Sequence, residues 1–191
     1  MAAEILDGKL LVAGFVYYKV RARVQQCVPT KIMSDFELGI MNACREVYPH
    51  VPISCCFFHL GQSVYRRVQR EGLQAAYSDP DNRTLKDFVH AMLALAFVPV
   101  CDVVSASIAL RRVSSQPLLV VMDYFDHIYV RGRRAQGRRA AVAPRYPTEI
   151  WNQYTAVLQN QHRTNNISEG WHNRFRVVVG KDHPNLYSCL T

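Results

Sequence analysis

The spacing of apolar positions changes along the chain, and the changes divide it. Leu10 to Tyr17 is apolar and β-branched enough for a strand, yet Val20 and Val24 stand at helical spacing, so residues 1–28 read as a poorly defined segment closed by Pro29. Lys31 to Ser34 reads as a short buried strand. Asp35 closes it, and Phe36, Ile40, Ala43, Cys44 and Val47 then recur at helical spacing. After Pro49 and Pro52 the pattern repeats, with a strand from Ile53 to Phe58 and a helix on Leu60, Val64 and Val68 that Gly72 ends. From Asn82 to Val130 only helical spacing is present. Asn82 caps a helix to Phe97, Pro99 breaks it, Val100 to Val113 forms another, and Pro117 at a first-turn position opens a third. Arg131 to Pro147 is an exposed, mobile loop, and Thr148 caps a helix carrying Ile150, Trp151, Tyr154 and Leu158. Asn166 with Glu169 forms a capping-box pattern for a last helix to Val179, whose buried face is Ile167, Trp171, Phe175 and Val178. The expected class is α/β: strand-helix-strand-helix over 29–72, a helical block over 73–161, and a C-terminal helix in 162–191.

Composition narrows this picture. At 191 residues and 49% apolar content the chain can bury one sizeable core, or a small α/β core plus a helical subdomain. The best apolar run, Ala91 to Cys101, is too short to span a bilayer and contains Pro99, and no early segment has the make-up of a signal peptide. A soluble intracellular protein with no membrane partner is expected. The six cysteines include no CxxC pair, which fits reduced thiols.

Charge is uneven. Residues 131–191 hold ten Lys and Arg against three acids, so nearly all of the net charge of +8 sits in the last third. Such a local excess favours a polyanion such as DNA or RNA, because each neutralised phosphate releases counterions. The loop from Arg131 to Pro147 alone carries six arginines and no acid. It fits either a contact to phosphate backbone, through charge and without base reading, or a solvated linker.

Four residues outside that loop could carry chemistry. Asp35 stands at the C-terminal end of a strand, where open α/β sheets build ligand sites, or else Asp35 or Ser34 caps the following helix with Glu37 as capping-box partner. Glu169 is an N-terminal helix acid, either a cap or a ligand. Cys56 and His59, across a strand-to-helix junction, could give two zinc ligands or be a buried thiol and a first-turn histidine.

Taken in order, Pro29-Thr30-Lys31-Ile32-Met33-Ser34-Asp35-Phe36-Glu37, Cys56-Phe57-Phe58-His59-Leu60-Gly61-Gln62, Ala94 to Pro99, Tyr124-Phe125, Trp151-Asn152, Arg163-Thr164-Asn165-Asn166, Glu169-Gly170-Trp171-His172 and His183-Pro184 resemble a MULE (Mutator-like element) transposase domain over residues 29–190. No single motif is specific; their order and spacing are. The resemblance implies a partial ribonuclease-H-like core interrupted by an all-helical insertion subdomain, with an Asp-Asp-Glu triad that binds Mg²⁺ or Mn²⁺. Asp35 matches the second Asp, Glu169 the Glu, and Cys56 with His59 the Cys-x2-His signature, which leaves Zn²⁺ as a further candidate. Hard oxygen ligands suit such cations: one ion would activate water or a DNA 3′-hydroxyl, and the other would stabilise the leaving oxygen.

The implied partners are DNA, as transposon ends and target, and a second copy of the chain; the implied location is the nucleus, or the cytoplasm for a vestigial protein. Arg131, Arg133, Arg134, Arg138 and Arg139, with His172, Asn173, Arg174 and Arg176 beyond Glu169, are the DNA-contact candidates. The first Asp of the triad is the departure. Only Glu4 and Asp7 lie upstream, and Asp7-Gly8-Lys9 echoes the family's Asp-Gly-Thr-Phe context too close to Asp35 for the intervening strands. A truncated, weakly active or inactive transposase-derived domain is therefore expected, the alternative being a non-enzymatic DNA-binding or protein-interaction module.

Overall fold

A computed structural model describes residues 30–137, 139–161 and 163. Within them the protein is mixed α/β and mostly helical, with a small two-stranded parallel sheet. The chain forms two compact units that divide between Ile53 and Ser54.

In the first unit, β1 (Ile32–Ser34) is followed by α1 (Leu38–Val47), and β2 (Ile53–Cys55) runs across the boundary. The Ile32 amide donates to the Pro52 carbonyl at 3.0 Å. Parallel neighbours need a crossover between them, and α1 supplies it. This helix packs on β1 and buries Met41 completely. It starts later than its apolar spacing predicts: Glu37 holds the N-cap position without a side-chain capping bond, so neither Ser34 nor Asp35 is the N-cap.

The second unit begins with β2 handing over to α2 (Phe57–Arg70). The strand is shorter than the expected Ile53–Phe58 because the Phe57 amide bonds the Arg163 carbonyl at 2.9 Å. Its ring packs edge-on against Phe97, with centroids 4.9 Å apart. Leu60, Val64 and Val68 are fully buried, and Gly72 leaves the helix in the left-handed region at φ 71°, as a C-terminal glycine should. A short α3 (Gln74–Ser78) leads to α4 (Thr84–Ala94), where Asn82 Oδ1 accepts the Thr84 amide at 3.2 Å. A 3₁₀ turn (Leu95–Phe97) precedes Pro99, and a second (Val100–Asp102) leads into α5 (Val103–Arg112). α6 (Gln116–Phe125), with Pro117 in its first turn, ends in a single π-type turn (Asp126–Val130).

The predicted helix from Thr148 is two pieces, α7 (Thr148–Trp151) and α8 (Tyr154–Leu158). Asn152 and Gln153 break it by bonding elsewhere. Asn152 Nδ2 donates to the Val98 carbonyl at 2.8 Å while its Oδ1 accepts the Tyr154 amide at 3.0 Å. The Gln153 amide donates to the Ala96 carbonyl at 2.6 Å, and its buried side-chain amide to the carbonyls of Cys55 and Trp151. Tertiary hydrogen bonds outweigh local helical preference at these two residues. Among the described residues no helix is long and apolar enough to cross a membrane, and Cys44, Cys55, Cys56 and Cys101 form no disulfide.

Candidate functional site

Three of the sequence motifs meet in the core of the second unit. Trp151 is fully buried, edge-on to Phe125 with centroids 5.6 Å apart, and its Nε1–H donates to the Tyr129 carbonyl at 2.9 Å. Asn152 and Gln153 hold the carbonyls of the Ala94–Pro99 stretch. Tyr124, Tyr129 and Ser63 share a hydroxyl cluster, with Ser63 Oγ 2.9 Å from the Tyr124 hydroxyl and 2.7 Å from that of Tyr129. Ala94–Pro99, Tyr124-Phe125 and Trp151-Asn152 therefore serve as one packed junction, which fixes where α6 ends and where the arginine-rich segment begins.

Tyr129 is 1% exposed. Burial, above all, pushes its phenol well above the ordinary tyrosine range, partly opposed by the hydrogen bond shared with Ser63. Unfolded tyrosine ionises near about pH 10, so above that pH the native state binds more protons than the unfolded state. The stability from keeping Tyr129 neutral is fully present below about pH 10 and is lost as pH climbs towards the native value. Urea midpoints should therefore hold to about pH 9 and fall by about pH 11, and Tyr129→Phe should flatten that fall. An equally steep fall in Tyr129→Phe would assign it to other groups.

The arginine-rich segment, expected to be an open loop, closes on itself as a hairpin arm. Arg133 and Val142 exchange backbone hydrogen bonds at 2.8 Å each, and Gln136 and Arg139 do the same at 3.0 Å. Gly132 stands at its base with φ 72°, and a Cβ there would overlap the Val142 carbonyl and lie 2.6 Å from Pro144 N. Both the backbone and the space exclude a side chain. Gly132→Ala should cost about 2–4 kcal/mol, from the left-handed conformation plus the overlap, and release the arm to proteolysis. An unchanged melting temperature would contradict this.

The arm is tied to the π-type turn at the end of α6 by an ion pair. Arg131 Nε donates to Asp126 Oδ1 and Oδ2 at 2.7 and 2.9 Å, and Nη2 to Oδ2 at 2.6 Å. The side chains are only 20% and 12% exposed. The carboxylate raises the guanidinium's pKa above its usual range. The Asp126 carbonyl also accepts the amides of Arg131 and Gly132, so the π-type turn folds the arm back onto its own start.

Of the sequence-predicted site residues, Asp35 directly follows β1 and is half-buried. Cys56 is fully buried at the N-cap position of α2, and His59 is half-buried in its first turn. Arg133, Arg134 and Arg139 are exposed on the arm, whereas Arg131 is drawn inward by Asp126. Glu169, His172, Asn173, Arg174, Arg176 and Arg138 lie outside the described residues, as does the helix expected from Asn166. Among the described residues no three His, Cys, Asp or Glu side chains gather as a metal-binding group.

Sequence reasoning missed Asp126 and the α5 arginines Arg111 and Arg112. The Asp126–Arg131 pair, five residues apart, spans a turn that helical spacing does not anticipate. The only advance signal for Arg111 and Arg112 was a doubled charge at a helix C-terminus, usually read as dipole compensation. No family model matches the chain, and neither does any curated protein or solved structure.

Proposed function

We propose that this chain is a DNA-handling domain of DDE-transposase type, a partial ribonuclease-H-like core interrupted by a helical insertion. The observation that carries the reading is the neck between Phe57 and Arg163. The chain leaves the Cys56-x2-His59 turn, builds the helical block, and returns to the same turn at the first residue of Arg163-Thr164-Asn165-Asn166. A helical block inserted between those motifs is the arrangement their order in the sequence implies.

Two further observations support it. Asp35 stands at the end of a strand leading into a helix, where a carboxylate can face a ligand. The arm offers arginines whose spacing is set by backbone pairing, suited to phosphates through charge. Asp35 and Glu169 would hold Mg²⁺ or Mn²⁺, which supplies Lewis-acid activation of a phosphodiester when bound. The arm would hold the strand.

The test is plasmid binding and nicking by the purified chain in Mg²⁺ or Mn²⁺, with Asp35→Asn and Glu169→Gln alongside. The expected result is salt-dependent binding by all three proteins, with weak nicking confined to the wild type. Binding without nicking would favour the non-enzymatic DNA-binding alternative. A folded wild type that binds no DNA at low salt overturns both.

A further inference from the structure

Beside the arm, the structure holds a cleft of about 590 Å³ between the end of α5, the side of α6 and the base of the arm. That volume falls within the roughly 300–1,000 Å³ of small-ligand sites. Four arginines line it: Arg111 and Arg112 from α5, Arg131 and Arg134 from the arm. Two aspartates stand among them, Asp123 of α6 paired with Arg111 and Asp126 of the π-type turn paired with Arg131. The side chains of Arg112 and Arg134 make no ion pair or hydrogen bond among the described residues. The cleft therefore keeps an excess of positive charge after its internal pairs are made.

We propose that this cleft is a phosphate-binding site in which Asp123 and Asp126 position two guanidinium groups and Arg112 and Arg134 supply the charge that the ligand neutralises. Arg131 spends Nε and Nη2 on Asp126, which leaves Nη1 uncommitted. A planar fork held in this way meets a tetrahedral oxyanion in a fixed orientation, with less side-chain freedom to lose than a solvent-exposed arginine has. The excess charge suits a phosphate dianion, or two adjacent phosphodiesters. The chemistry stands on the cleft; that the phosphates belong to a DNA strand rests on the reading proposed above.

The test measures binding of pyrophosphate and of short single-stranded and duplex DNA by titration calorimetry and fluorescence anisotropy. Arg112→Ala/Arg134→Ala is compared with Arg66→Ala/Arg70→Ala, which removes the same charge from exposed positions on α2. Arg112→Lys/Arg134→Lys keeps the charge without the fork. The side chains of Arg112 and Arg134 have no partners to lose among the described residues, so melting temperature should not change, and it is checked.

The cleft alanines should weaken at least one probe about tenfold or more, the α2 control less than threefold, and the lysines should restore only part of the loss. A change in DNA affinity identifies a polynucleotide as the source. A change confined to pyrophosphate keeps the site but assigns it to a free phosphate compound, removing its support from the DNA reading. Wild-type affinity in the cleft variant, an equal loss in the control, or no binding of either probe by the folded wild type overturns the proposal.

Discussion

Trp151→Ala should destabilise the second unit by about 3–5 kcal/mol, read as a shift of the urea midpoint at constant slope. The indole is fully buried between α6 and the π-type turn, edge-on to both Phe125 and Tyr129. Two losses combine. The ring leaves a cavity among side chains already seated, and the Tyr129 carbonyl loses its donor in a turn with few others to offer. Trp151→Phe separates them, because it keeps most of the packing and removes only the donor; about 1–3 kcal/mol is expected. A shift below about 1 kcal/mol in Trp151→Ala would mean that the indole is not the centre of this core.

Arg131→Ala should follow in size, at roughly 2–3 kcal/mol, below the usual cost of breaking a fully buried pair because some solvent reaches these side chains. Its origin is the carboxylate left behind. Among the described residues the Asp126 carboxylate would keep only the Ser107 hydroxyl, whose hydrogen bond is long at 3.4 Å. Replacing both partners, as Asp126→Leu with Arg131→Met, should recover most of that stability, since a well-packed apolar pair no longer strands a charge. The same double variant should still weaken phosphate binding, which separates the ion pair's structural role from its part in the cleft. Failure of the double replacement to recover stability would indicate that the guanidinium does more for the fold than pair with Asp126.

These two residues also show where sequence reading succeeds and where it stops. The strand around Ile32–Ser34, the α2 face of Leu60, Val64 and Val68, the ending at Gly72, the break at Pro99 and the start near Pro117 were all legible. Each depends on near neighbours: spacing, a cap, or a residue with restricted φ. The break at Asn152-Gln153 was not, because Ile150, Trp151, Tyr154 and Leu158 keep helical spacing straight across it. What interrupts the helix are the carbonyls of Ala96 and Val98, more than fifty residues away.

The arm was legible as basic but not as paired. Nothing in Arg133 to Val142 alternates apolar and polar residues as a hairpin usually does, so the pairing depends on the Gly132 backbone and the anchor at Asp126. The cleft was invisible for the same reason, since it exists only once the end of α5 and the base of the arm are adjacent. The carboxylate pair expected from the sequence has one member, Asp35, within the described residues.

The neck between Phe57 and Arg163 also bears on how the protein comes together. The 2.9 Å hydrogen bond there closes a ring of more than a hundred residues, and closing such a ring costs chain entropy that grows only slowly with length. Lengthening the chain at the far turns should therefore barely penalise closure, which makes them permissive positions for insertions. Because its ends are so far apart in sequence, it should form only after the helices between them have packed. The Phe57 amide then becomes a natural clock: its hydrogen exchange should slow last during refolding and report completion of the whole unit.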